Sequence, residues 1–159
     1  MPGEVLLRPV SEGDLPIFFE QQSDADANYM AAFTAKDPAD RTAFMAHWAR
    51  NLADETTTNR AILFDGEVAG SVSCYEERAG EPEVTYWLGK PYWGKGIATA
   101  ALRALLLLVT ARPMYARAAK DNLASLRILE KCGFTIVGQG KGFANARGKE
   151  IEEYLLRLG

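Results

Sequence analysis

Residues Trp93-Gly-Lys-Gly96-Ile-Ala-Thr99 constrain this chain more than any other stretch. Before them, Val84 to Leu88 has the β-branched and aromatic make-up of a strand. After them, Ile97 to Thr110 is an Ala- and Leu-rich helical pattern. A strand that turns through two glycines straight into a helix leaves the first helical N–H groups, and the positive end of the helix dipole, without intrahelical partners. Glycine removes the Cβ and lets a ligand reach the backbone. The junction is therefore a candidate phosphate cradle. Against that stands an ordinary tight turn before an ordinary amphipathic helix.

Two well-known cradles fail on inspection. Gly94-Lys-Gly96 opens a dinucleotide fingerprint, but Thr99 stands where its third glycine belongs. A P-loop needs its Lys-Ser/Thr pair after the second glycine, and Lys95 precedes it.

The flanking pattern supplies the context. Val5 to Val10 reads as a strand, followed by a helix with Ser11 and Asp14 at its start and an apolar stripe of Leu15, Phe18 and Phe19. Ser23 to Thr34 is less regular and reads as a loop or broken helix. Asp37-Pro38 predicts a second helix start, because proline fits the first helical position. Ala61 to Phe64 and Val68 to Tyr75 form a hairpin about Asp65-Gly66. A polar turn over 76–82 leads into Val84 to Leu88. Met114 to Ala118 is a short strand, and Asp121-Asn122 opens a helix that Gly133 ends. Phe134 to Val137 and Ile151 to Leu158 are late strands, joined by a Gly- and Lys-rich connection over 138–149. The order predicts one α/β domain over 1–159, a mixed sheet with helices on both faces.

Several function classes fall away. A formal net charge of -3 argues against a broad nucleic-acid surface. His47 is the only histidine, so a multi-histidine metal site is excluded, and no metal is expected. His47 itself reads as a helix-face residue. Cys74 and Cys132 read as buried thiols rather than a disulfide framework. The longest apolar run, Ala104 to Val109, is too short for a bilayer, and Met-Pro-Gly-Glu-Val lacks the features of a secretory signal. A cytoplasmic protein with no membrane or nucleic-acid partner is expected, as a monomer or a homodimer.

Three phrases together carry a resemblance. Tyr86-Trp-Leu-Gly89, Tyr92-Trp-Gly-Lys-Gly-Ile-Ala-Thr99 and Asn122-Leu-Ala-Ser125 with its later Gly133-Phe134 are similar to the motifs of the Gcn5-related N-acetyltransferase (GNAT) family. The family's phosphate motif, Arg/Gln-x-x-Gly-x-Gly/Ala, matches at Gly96 and Ala98 and departs at Trp93. That departure resembles the RimJ/RimL-like branch, which acetylates ribosomal proteins. The likeness runs from Leu6-Leu-Arg-Pro9 to the Glu153-Tyr-Leu-Leu strand.

The resemblance implies a GNAT-like fold, with a mostly antiparallel sheet splayed at a bulge beside the strand that precedes the loop. It implies acetyl-CoA as co-substrate and an amine as acceptor, a protein N-terminus or a small molecule. Trp87, Leu88 and Gly89 would meet the pantetheine arm. Trp93, Gly94, Lys95, Gly96, Ile97, Ala98 and Thr99 would meet the pyrophosphate, with Asn122 and Ser125 completing the coenzyme site. Where many members carry a tyrosine as general acid, this chain has Leu129. Ser125 is then the implied hydrogen-bond donor to the leaving sulfur, and Glu83 the candidate base, with Glu76 and Tyr75 as rivals. The acceptor pocket would be walled by the two N-terminal helices and the 138–149 connection. The absent tyrosine also leaves open a non-catalytic acyl-CoA-binding module, and the loop equally suits another acyl-CoA.

Overall fold

In the computed structural model, which describes residues 3–78 and 80–159, the strands assemble into a seven-stranded sheet. In chain order they are β1 (Val5–Pro9), β2 (Thr58–Phe64), β3 (Glu67–Arg78), β4 (Glu81–Leu88), β5 (Met114–Ala119), β6 (Thr135–Ala144) and β7 (Lys149–Leu158). The helices are α1 (Leu15–Gln22), α2 (Ala25–Ala31), α3 (Arg41–Ala53), α4 (Ile97–Leu108) and α5 (Leu123–Lys131). Across the sheet the order is β1-β2-β3-β4-β5-β7-β6. Every neighbouring pair is antiparallel except β4 and β5.

Alternation along a strand decides which helices lie on which face. Ala61 packs with Leu15 and Phe18 of α1 and Trp48 of α3. The next residue, Ile62, belongs to the main core, with Ile97, Ala101, Leu102 and Leu105 of α4 and Leu126 and Leu129 of α5. Both faces are covered, as the sequence predicts. α4 turns one continuous apolar stripe inward, the expected outcome for residues three and four apart. On the other face the buried Asp14 carboxylate grips Arg8 through two bonds of 2.7 Å, tying the start of α1 to β1.

The feature that matters for function is a seam. β4 pairs with β3 in unbroken register from Pro82 to Leu88, and β5 pairs with β7 over its whole length. Between β4 and β5 there is one pair, Glu83 opposite Tyr115. Beyond it β4 runs on with no strand on that side. The register shift between β3 and β4 lies at Glu76–Arg78, away from the open stretch.

Three further expectations are corrected. The second helical segment does not start at Asp37-Pro38. Its cap is Asp40, whose carboxylate accepts from Ala43 N at 3.0 Å, and α3 begins at Arg41. Ser23 to Thr34 contains a regular helix, α2, capped by Asp24 through Ala27 N. Most of the 138–149 connection is strand: β6 runs to Ala144 and β7 starts at Lys149. Glycine at 138, 140 and 142 reads as loop composition, yet these residues pair with Leu155, Glu153 and Ile151. Their ladder hydrogen bonds outweigh a weak β-propensity. No helix among the described residues is long and apolar enough to cross a membrane.

Candidate active site

The glycine turn is built by conformation rather than by lack of space. Gly94 and Gly96 have φ of 73° and 75°, and a Cβ at either would meet nothing within 4 Å. Left-handed backbone of this kind favours glycine. Gly96 is the N-cap of α4, and no side chain caps the helix. The N–H groups of Ile97, Ala98 and Thr99 therefore face the turn without intrahelical partners. Ile97 and Ala98 bury their side chains in the core, which fixes the helix end in place. Lys95 is exposed on the turn.

The strand end beside the turn is equally defined. Gly89 N donates to Ala69 O at 2.8 Å, so alternation directs the backbone groups of Tyr86 and Leu88 to the opposite side, into the seam. Gly89 and, by the same alternation, Trp87 turn theirs toward β3. The Trp93 indole donates to Leu88 O at 2.9 Å. The residue that breaks the general phosphate motif thus folds back onto the end of β4. The Trp87 indole points to the α1 face and reaches Gln21 O at 3.4 Å. Gln21 packs against Gly89, where an added Cβ would meet its amide nitrogen at 3.0 Å. Its Oε1 is buried without a hydrogen-bond partner.

α5 starts across the seam. Asn122 caps it, accepting from Ser125 N at 3.2 Å, while Asn122 Nδ2 donates to Met30 O at 3.2 Å. Asn122 is thus both a helix cap and a tie to α2. The Ser125 hydroxyl lies 2.5 Å from the Tyr86 hydroxyl, and Tyr86 also approaches Ser125 O at 3.4 Å. Burial pushes the Tyr86 phenol up to about 12. Leu129, where many family members carry a tyrosine, is 1% exposed in the main core.

Tyr86 is the functional candidate that sequence reasoning missed. It was visible only as a member of a familiar phrase. The available signal was its inward strand position between Val84 and Leu88, where a phenol needs a polar partner.

Glu83 lies on the other face, at the one point where β4 and β5 meet. It is 8% exposed. Tyr75 OH donates to Glu83 Oε2 at 2.7 Å, and Arg117 Nε donates to Oε1 at 3.2 Å. Arg117 also reaches Glu153 at 3.4 Å. Ser125 and Glu83 thus stand on opposite faces of the sheet, with the seam between them. Glu76, the other carboxylate considered, is exposed and is the partner of Pro82 in the ladder.

The expected acceptor wall divides. Trp48 is core, with its ring 5.1 Å from Phe18. Met30 is half-buried and gives its carbonyl to Asn122. Phe33 lies over Gly142 of β6, and Tyr29 is exposed beneath the Arg147 guanidinium, 3.9 Å from its ring. Arg147 also donates to Tyr29 O at 2.6 Å and to both oxygens of Asp121 at 2.7 and 3.0 Å. His47 is exposed on α3 against Asn51.

Comparison with known proteins supplies the family. Residues 4–135 match the family described as "Acetyltransferase (GNAT) domain". The chain is 29% identical over 136 residues to the Bacillus subtilis protein named "Putative ribosomal N-acetyltransferase YdaF", covering 78% of this chain and 74% of that one. RimJ of Mycobacterium smegmatis, solved with CoA-disulfide, superposes with a TM-score of 0.80 at 23% identity, over 99% of this chain and 82% of that one. A spermidine N-acetyltransferase from Vibrio cholerae, solved with CoA and spermine, gives 0.79 at 16% identity, over 96% and 95%. With a family match spanning most of its length and a sheet split at one seam beside a glycine turn, this chain belongs to the GNAT acetyltransferases.

Proposed function

We propose that this protein is an N-acetyltransferase of the RimJ/RimL-like branch, one domain over 1–159, that moves an acetyl group from acetyl-CoA to a primary amine, a protein N-terminus or a small molecule. One observation carries the reading: an open strand edge on β4 leads directly to an uncapped helix N-terminus behind two left-handed glycines. The seam suits the amide-bearing pantetheine arm, because the backbone groups of Tyr86 and the N–H of Leu88 face it, while Leu88 O is held by the Trp93 indole. The turn suits the pyrophosphate, because its N–H groups converge at the positive end of α4. Both CoA-bound neighbours and the family match support the choice of coenzyme.

When bound, the coenzyme supplies an activated acetyl thioester. The chain's own residues do the rest. Tyr86 and Leu88 orient the arm through backbone hydrogen bonds, and Ile97, Ala98 and Thr99 hold the phosphates by N–H groups. Ser125 directs its hydroxyl to the departing sulfur. Glu83 takes the amine proton through water, since both its oxygens already hold a donor. Placement of the two reactants accounts for most of the rate.

The test has two arms. Thiol release from acetyl-CoA is followed with a panel of N-terminal peptides and small amines. Gly96→Asp is then titrated calorimetrically, and the anion in the cradle should abolish acetyl-CoA binding while the thermal transition persists. Unchanged affinity in Gly96→Asp removes the cradle. Tight binding by the wild type with no thiol release on any amine leaves a non-catalytic acyl-CoA module instead.

A further inference from the structure

The Tyr86–Ser125 contact has a particular place. Tyr86 stands in the stretch of β4 that no longer pairs with β5, and Ser125 in the first turn of α5 beyond the seam. The phenol spans the opening and meets Ser125 Oγ at 2.5 Å. Two hydroxyls this close share one hydrogen between their oxygens. If Ser125 supplied it, the Ser125 proton would point away from the seam toward the phenol. If Tyr86 supplies it, the serine oxygen is satisfied as an acceptor and its own hydrogen is free to turn elsewhere. The phenol keeps its proton throughout the neutral range because burial disfavours the phenolate. Its hydrogen is thus available to donate, and Ser125 Oγ at 2.5 Å is far nearer to it than Ser125 O at 3.4 Å.

We propose that Tyr86 is a positioning residue for acetyl transfer: its phenol donates to Ser125 Oγ and turns the serine hydroxyl hydrogen into the seam, toward the departing sulfur. This rests on the coenzyme reading above. In the transfer, the amine nitrogen forms the new bond to the acetyl carbon, the carbon–sulfur bond breaks and its electron pair goes to sulfur. The amine's surplus proton passes through water to Glu83 and the sulfur takes one up from solvent, so amine and thioester give amide and thiol. The Ser125 hydrogen bond steadies the developing negative charge on sulfur, and Tyr86 sets its direction. The chain so replaces the tyrosine missing at Leu129 with a pair of residues from two different elements.

The test is a double-mutant cycle on Tyr86→Phe and Ser125→Ala. Thiol release from acetyl-CoA is measured with concentrated hydroxylamine as the nucleophile, so the natural acceptor need not be known. Phenylalanine keeps the ring in the core, and thermal unfolding checks that the fold persists. Tyr86→Phe should lower kcat by roughly tenfold, the worth of one well-placed hydrogen bond, with the KM for acetyl-CoA within about twofold of wild type. Added to Ser125→Ala, it should cost nothing more. An unchanged kcat in Tyr86→Phe, a loss carried by KM alone, or losses that multiply in the double variant would each overturn the proposal. A wild-type protein that binds acetyl-CoA but releases no thiol would overturn it together with the enzymatic reading. A wild type that turns over normally beside an unaffected Tyr86→Phe would overturn it alone.

Discussion

Leu129 shows how one residue closes an ordinary route and forces another. The tyrosine usual in the family would require a phenol in a fully buried position among Phe134, Leu126 and Ala116. Leu129→Tyr should therefore destabilise the fold by about 1–3 kcal/mol through overpacking and should not raise kcat. Thermal melts and the thiol assay read both. Tyr86 makes a different prediction, on the alkaline side. A phenol whose folded pKa lies above its unfolded value near 10 adds stability that is complete below about pH 10. That stability is lost as pH rises through the folded value of about 12. Urea unfolding across this window should show a loss of order 2–3 kcal/mol in the wild type and a smaller one in Tyr86→Phe. The signals for Leu129 and Ser125 were legible in the sequence, because position within a helix motif is local. Tyr86 was not, because its partner stands 39 residues away and only the fold brings the two together.

At the level of elements, glycines were legible where they bend the chain and misleading where they do not. Gly94 and Gly96 announce a turn through their left-handed backbone. Gly138, Gly140 and Gly142 look the same in a sequence but lie in a paired strand, because β7 supplies their hydrogen bonds. Proline misled in a similar way at Pro38, since the cap that starts α3 is Asp40. The hairpin of β6 and β7 then does what no local pattern announced: Arg147 grips α2 through Tyr29 and, through Asp121, the residue before the Asn122 cap of α5, with its guanidinium almost fully covered. Arg147→Ala should weaken the fold by about 1–2 kcal/mol, discounted because Asp121 is exposed. It should also speed hydrogen exchange at α2 amides. If the acceptor lies beside Tyr29 and Met30 of α2, the acceptor KM should rise while acetyl-CoA affinity stays constant. A fall in acetyl-CoA affinity instead would place α2 on the coenzyme side.

For the whole molecule, the pairing pattern divides the sheet into β1–β4 and β5–β7–β6, each internally well paired. The alternation of strands and helices made that division legible only as a family expectation. No residue in β4 or β5 marks the seam, because it arises from each strand's commitment to its other neighbour. A ligand lying along the seam binds both halves at once and binds the folded form alone. Acetyl-CoA at about 100 times its dissociation constant should then add roughly 2.7 kcal/mol of stability. The unfolding temperature should climb with coenzyme concentration in the wild type and stay flat in Gly96→Asp.

The lone pairing of Glu83 with Tyr115 has a mechanical consequence. Two plates that share a single ladder pair, over a common core beneath α4 and α5, can change their angle at little cost in ladder hydrogen bonds. The same joint carries the ion pair of Glu83 with Arg117, so any scissoring of the plates is felt first at the proposed base. Seating the coenzyme would then act as a wedge, setting the gauge between the plates and with it the distance across which the amine must reach.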